Sequence, residues 1–264
     1  MSTLARPGIM AHMIPWFPDV ERSFTVARAM LDAGVDYLEV QFPYSDPTAD
    51  GPAIQKACAD ALDAGFRVAD GFEYLDRLSA HRNVPIFLMS YAGLVYRRGV
   101  DEFVRRAADH GVTGLIVPDL PPGSDEGLYE AANKYRISAV PVVVVSARPN
   151  RMDAVAATRP AYIYAALRSG ITGERTVIGE DNLAFLDRLR PIGAELMAGF
   201  GVQSVEQVEA LAGHVETVIV GSAFVRAIET AIGRASRDAP ADSIGIYDAV
   251  YQLARELVGE PVGD

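Results

Sequence analysis

The chain has two lysines, one cysteine and four histidines in 264 residues. Each shortage excludes something. Lys56 and Lys134 are the only lysines, and the other 22 of the 24 basic residues are arginines. Schiff-base chemistry on a carbonyl substrate needs a buried lysine, and this chain has almost none to offer. Cys58 alone cannot form an internal disulfide or a cysteine-based metal site. His12, His81, His110 and His214 show no ligand spacing, so a zinc-dependent aldolase and a resident metal are not expected. The last three fall near helix ends, where solvated or capping roles suffice. Positive charge is also short: 35 acidic residues leave a net charge of −11. That argues against broad nucleic-acid binding, but an anionic substrate held by backbone amides stays open. No apolar run reaches membrane-spanning length, and no signal-peptide pattern opens the chain. Half the residues are hydrophobic. The expectation is one soluble, cytoplasmic domain over 1–264 with a sizeable core and no membrane association.

What is present is a recurring unit: an amphipathic helical run, a glycine, then a short apolar run. Phe24, Ala27 and Leu31 share a helical stripe before Gly34, and Val35–Phe42 then reads as a strand. The unit returns at Val100, Phe103, Val104 and Ala107 before Gly111, and again at Val205, Val208 and Leu211 before Gly213. Apolar runs give eight strand candidates: 8–14, 36–42, 85–91, 114–118, 138–145, 161–166, 195–200 and 216–221. A last helix follows near 243–258. Near-continuous apolar strands alternating with helices indicate a parallel sheet. Eight such units in this length fit an α/β fold of the (β/α)8 TIM-barrel type. A doubly wound open sheet is the alternative. It would want fewer strands and a glycine-rich first turn, and Ile14-Pro15-Trp16-Phe17-Pro18 is not one.

In a barrel, chemistry belongs at the C-terminal ends of the strands. Glu39 lies inside the second apolar strand, where an ionised carboxylate is costly unless paired or functional. An arginine partner would make it structural. Asp46 and Asp50 lie in a loop rich in proline and glycine, and Asp50, before Gly51-Pro52, could be a plain helix N-cap. Three glycine turns follow the last strands: Ser169–Gly173, Gly199-Phe200-Gly201 and Gly221-Ser222. Ser222 could open a short helix. Glycines let backbone N–H groups approach an anion, and phosphate sites after the last two strands are common in this fold. The residues thus point to proton transfer on a phosphorylated substrate.

The stretch Glu39 to Gln55, above all Pro43-Tyr44-Ser45-Asp46-Pro47-Thr48-Ala49-Asp50-Gly51-Pro52-Ala53-Ile54-Gln55, resembles the signature of the tryptophan synthase alpha subunit family. That signature is a glutamate followed by P-F-S-D-P-x-A-D-G-P-x-I-Q. The likeness continues in order through Leu88–Tyr91, Pro118–Pro121, Arg168–Gly173, Gly199–Val202 and Gly221-Ser222-Ala223. The resemblance implies a TIM barrel that splits indole-3-glycerol phosphate into indole and glyceraldehyde 3-phosphate. It implies no cofactor of its own, and a pyridoxal-phosphate-dependent beta subunit as partner. Glu39 and Asp50 match the family's catalytic acids. Tyr91 and Tyr164 match active-site tyrosines. Gly173, Gly201, Gly221 and Ser222 match phosphate-binding positions, and Thr172 matches the threonine of a mobile loop, placed here at 167–179, that closes over the site. A free-standing lyase releasing indole, and a weakly active subunit that activates a beta subunit, are the alternatives.

Several positions depart from the family pattern. Little chain precedes the first strand where the family has a short helix. Trp16-Phe17-Pro18-Asp19 replaces a Gly-Asp-Pro turn. His12 stands at an apolar or aromatic position, Gln41 at a glycine and Gly93 at an asparagine on the face used for the partner.

Overall fold

The computed structural model describes residues 6–168, 177–234 and 243–259. Nine parallel strands run in the order β5-β4-β3-β2-β1-β9-β8-β7-β6. They are β1 (Gly8–Met13), β2 (Tyr37–Gln41), β3 (Ile86–Met89), β4 (Val112–Ile116), β5 (Ser138–Val140), β6 (Val142–Val144), β7 (Tyr162–Ala166), β8 (Glu195–Gly199) and β9 (Thr217–Val220). The two ends of that order, β5 and β6, are consecutive in the chain and separated only by Pro141. Proline has no N–H to give a ladder, so one stave is divided in two. The Pro141 carbonyl still accepts the Tyr164 N–H at 3.0 Å. The sheet therefore closes on itself, and the eight expected strands are its eight staves.

Helices cover the outside. They include α1 (Val20–Asp32), α2 (Pro52–Asp63) and, near the C-terminus, α3 (Ser222–Arg234) and α4 (Ser243–Val258), of which α2 and α3 contribute Ile54 and Ser222 to the site. Asp19 caps α1 by accepting the Arg22 N–H at 2.8 Å. Gly34, Gly111 and Gly213 all take positive φ, +92°, +73° and +77°. That is the left-handed turn the sequence asked of each glycine before a strand.

Strand alternation sorts side chains into two layers. Ile9, Ala11, Leu38, Val40 and Leu88 face the helices and join the large outer core. Met10, Phe87, Ile116, Met197 and Ile219 fill the barrel interior. The register sets His12 beside Glu39 and Glu39 beside Phe87. Three polar residues, His12, Glu39 and Gln41, thus top an otherwise apolar interior, and each is at least 95% buried. An apolar floor under polar groups at the C-terminal rim is how a barrel builds a reaction chamber rather than a plain core.

One local departure has a packing reason. A Cβ on Gly93 would run into the Tyr44 hydroxyl, with Tyr44 Cζ at 2.9 Å. Tyr44 in turn stacks on Tyr91 at 5.4 Å between centroids. The tyrosine in place of the signature's phenylalanine therefore takes the space an asparagine side chain at 93 would need. Gly93→Asn should lower the melting temperature, because overpacking costs typically ~1–3 kcal/mol. Tyr44→Phe in the same chain should recover most of the loss. Equal melting temperatures for Gly93→Asn and the unchanged protein would contradict this.

Candidate active site

The cavity lies at the C-terminal rim. Its wall includes His12, Glu39, Gln41, Asp50, Tyr164 and Phe200, and Gly201, Gly221 and Ser222 also line it. Apolar side chains, among them Met89, Ile116, Val142, Val202 and Ile219, supply the rest. An aromatic body suits that wall, and an anion suits the glycine turns.

Glu39 accepts no hydrogen bond and no arginine among the described residues; the one charge acting on it is Asp50. The structural explanation by ion pairing is therefore excluded for those residues. Burial, and then the like charge of Asp50, push its pKa up to about 8. At neutral pH it is an acid holding its proton. The cost has a direction. A carboxyl raised in the folded state makes folding less favourable as pH rises from 4.5 towards 8. A buried group that weakens the fold and has no partner is placed for chemistry.

Asp50 lies in the connection from β2 to α2. It is not the cap of that helix: Gly51 holds the N-cap position and Pro52 opens the first turn. The Asp50 side chain turns inward instead. Its Oδ2 accepts the Tyr91 hydroxyl at 2.7 Å and the Gln41 Nε2–H at 2.8 Å. Tyr91 also accepts the Ala49 N–H at 3.1 Å, which leaves its own proton for Asp50. Burial raises the Asp50 pKa to about 6, against the lowering effect of those two hydrogen bonds. Asp50 is thus ionised at neutral pH while Glu39 is not. Two carboxyls whose surroundings separate their proton affinities mark an acid and a base.

Tyr164 projects from β7 into the cavity, and its ring meets Phe200 edge-on at 5.7 Å. Burial, then Glu39, then Asp50 hold its hydroxyl well above the usual phenol range, so it acts as a neutral hydrogen-bonding group. Tyr91 also belongs to the site, through Asp50. It stands behind Asp50 and does not line the cavity. Phe200 and Gly201 follow β8 with φ of +77° and +89°. Gly201 meets that requirement without a side-chain penalty, whereas Phe200 carries strain at the cavity wall.

Gly221 follows β9 and Ser222 opens α3. This helix has 13 residues, longer than the short helix the sequence suggested. Its first amides have no carbonyl partner within the helix, and its dipole favours an anion there. Thr172 and Gly173 lie outside the described residues, as does most of the 167–179 loop.

A family model described as tryptophan synthase alpha chain matches residues 3–245. The alpha chain of Helicobacter hepaticus is 38% identical over 235 residues, 86% of this chain and 88% of that one. That of Methanothermobacter thermautotrophicus is 38% identical over 82% of this chain and 81% of its own. The chain belongs to the tryptophan synthase alpha chain family. Among solved structures, a Mycobacterium tuberculosis tryptophan synthase superposes with a TM-score of 0.83 at 30% identity, over 96% of this chain and 93% of that one. The family makes this chain a lyase of tryptophan biosynthesis, and its TIM barrel is that of its structural neighbours.

Within this family frame two residues gain a place that sequence reasoning had not given them. Gln41 and His12, which stood out only as departures, join the hydrogen-bond network of Asp50. Phe200 and Val202 also line the cavity, though sequence reasoning had singled out only the glycine between them. Their signal was the Gly-x-Gly turn itself, whose intervening residue must point somewhere.

The glycine at 221 can be tested directly. A Cβ there would sit 3.2 Å from His12 Nδ1, so valine would crowd the cavity. Gly221→Val should weaken glycerol phosphate binding by tenfold or more, about 1.4 kcal/mol, with a smaller effect on melting. Unchanged affinity by calorimetry would remove this turn from the site.

Proposed function

We propose that the chain cleaves indole-3-glycerol phosphate to indole and glyceraldehyde 3-phosphate, with Glu39 as the acid–base group and Asp50 as the electrostatic partner. The observation that carries this reading is the pair of unlike carboxyls in one cavity that is also lined by a helix N-terminus. The phosphate lies at Gly201, Gly221 and Ser222. The indole lies against the apolar wall.

Glu39, protonated, donates its proton to indole C3. The ring becomes a cation with its charge at the nitrogen, and its N–H is offered to Asp50. Asp50 Oδ2 is already occupied by Tyr91 and Gln41; Oδ1 has no such partner among the described residues and accepts the ring N–H. The Glu39 carboxylate then takes the proton of the hydroxyl on the carbon attached to C3. That O–H pair becomes the carbonyl bond, the carbon–carbon bond breaks, and its electrons restore the aromatic ring. Glu39 has given one proton and regained one, so no water or cofactor is consumed. Tyr164, neutral and close to Glu39, borders the reacting carbons.

The activity should follow a bell in pH. It falls below about 6 as Asp50 takes up a proton and above about 8 as Glu39 loses its own; the two limbs belong to the coupled pair. A kcat/KM profile flat from pH 5 to 9 would overturn the assignment.

A pyridoxal-phosphate-dependent beta subunit is the proposed partner, consuming the indole and touching the exposed Ser45-Asp46 turn that leads into Asp50. The experiment is a steady-state assay of indole release with and without that subunit. Stimulation by the subunit supports the pairing. Full turnover alone, with no stimulation, favours a free-standing lyase, and no indole in either case defeats the reading.

A further inference from the structure

We infer that His12 and Gln41 form a built-in clamp that positions Asp50 for the indole nitrogen before any ligand arrives. The inference rests on the function proposed above and adds to it two positioning residues that act through Asp50.

Gln41 is the last residue of β2, two positions beyond Glu39 on the same face. Its Nε2 donates to Asp50 Oδ2 at 2.8 Å and lies 3.5 Å from Cys58 Sγ. Its Oε1 faces His12 Nε2 at 2.8 Å. Only one arrangement satisfies all of these. The carboxylate accepts, so the amide must present its NH2 to Asp50 and its oxygen to His12. His12 Nε2 must then carry the proton, because the amide oxygen is no donor. His12 is thereby fixed in one tautomer. Its Nδ1 is a buried atom with no partner among the described residues. Burial, partly offset by the Gln41 bond, lowers its pKa to about 4, so it is neutral at working pH.

The consequence concerns rotation. A glutamine amide turned end for end would aim its oxygen at Asp50, a repulsive contact in a dry site. The His12 bond adds to that cost: turning the amide would also set its NH2 against the imidazole N–H unless the ring changed tautomer. The chain of bonds from His12 through Gln41 to Asp50 Oδ2, closed by Tyr91 on the same oxygen, holds the carboxylate from two sides. Oδ1 is left to point at the ligand. Preorganised acceptors aimed at developing charge act without reorganising during the step.

The ionisable groups around Asp50 are Glu39 on β2, His12 on β1 through Gln41, Tyr91 after β3, Cys58 on α2 and Tyr164 on β7. All of these are neutral at pH 7, so a change at Gln41 reads out on Asp50 itself. The test uses Gln41→Met, which keeps length without a donor, His12→Phe, and the double variant. Each is measured for kcat, for KM, for the acid limb of the pH profile, and for the Asp50 carboxyl titration by NMR without substrate. Gln41→Met should raise the Asp50 titration by about one pH unit, because a bond to the ionised form is lost. It should lower kcat about tenfold with a smaller change in KM. His12→Phe should move both quantities in the same direction, and the double variant should add little to Gln41→Met alone, as expected for residues acting in series.

An unchanged Asp50 titration in both single variants, or fully additive effects, would overturn the clamp. Should either variant fail to fold, the other carries the test. The NMR readout needs no turnover. A shifted Asp50 in a protein that never releases indole would sustain the clamp and defeat the proposed reaction. Active enzyme with an unmoved Asp50 would do the reverse.

Discussion

Glu39→Gln should abolish indole release and at the same time make the barrel more stable at alkaline pH. The activity loss follows from the role. Glutamine has neither a proton to give to indole C3 nor a carboxylate to take one from the hydroxyl, and acid–base catalysis of one step contributes roughly 10²–10⁴-fold. Glu39 serves in two steps, so the loss should reach at least the upper part of that range. The stability gain follows from the unpaired burial. Below pH 4.5 the carboxyl is neutral in folded and unfolded chains alike and costs little. As pH rises to about 8, the unfolded chain releases its proton while the folded one keeps it, and folding is progressively disfavoured. Glutamine escapes that term. The variant should therefore melt higher than the unchanged protein at pH 8 and about equally at pH 4. Binding of glycerol phosphate should survive, because its anchors at Gly221 and Ser222 are untouched. A structural glutamate would show the opposite pattern, with activity reduced only as far as the fold is.

Asp50→Asn should lower turnover by about 10²–10³-fold, the usual cost of removing one electrostatic group aimed at a developing charge. Asparagine keeps an oxygen for Tyr91 and Gln41, so the loop should hold its shape. What is lost is the negative charge facing the ring nitrogen. Gly51 occupies the cap of α2, so no helix cap is removed and melting should change little. The substitution also reports on its neighbour. The Asp50 charge is the second cause, after burial, of the raised Glu39 pKa. With it gone, Glu39 should titrate lower, and the alkaline limb of any residual activity should move down from about pH 8. A limb that stays in place would mean that the two carboxyls do not sense each other.

The strand pattern was legible because parallel barrel strands are buried on both faces and read as continuous apolar runs. All eight staves were visible. The one broken stave was not, since Pro141 interrupts a run that remains apolar on either side, and the break shows only in the ladder. Glu39 was legible as an acid amid apolar neighbours. Asp50 was ambiguous, because an aspartate before Gly-Pro satisfies a capping rule equally well, and only its inward hydrogen bonds decide between cap and site. Tyr91 matched an active-site position by motif, yet a motif carries no direction: its hydroxyl serves Asp50. His12 and Gln41 are adjacent through strand register, 29 residues apart in sequence, and no local pattern links them. The glycine at 93 became intelligible only beside Tyr44, for the same reason.

The central claim is that Glu39 is a neutral acid beside an ionised Asp50. It can be measured without turnover. Protein labelled with carbon-13 in its glutamate side-chain carboxyls would be titrated by NMR in parallel with Glu39→Gln. One carboxyl resonance should titrate near pH 8, and that resonance should be absent from the variant. If every glutamate instead titrates within about one unit of the ordinary value near 4.3, Glu39 is ionised at neutral pH and cannot be the proton donor.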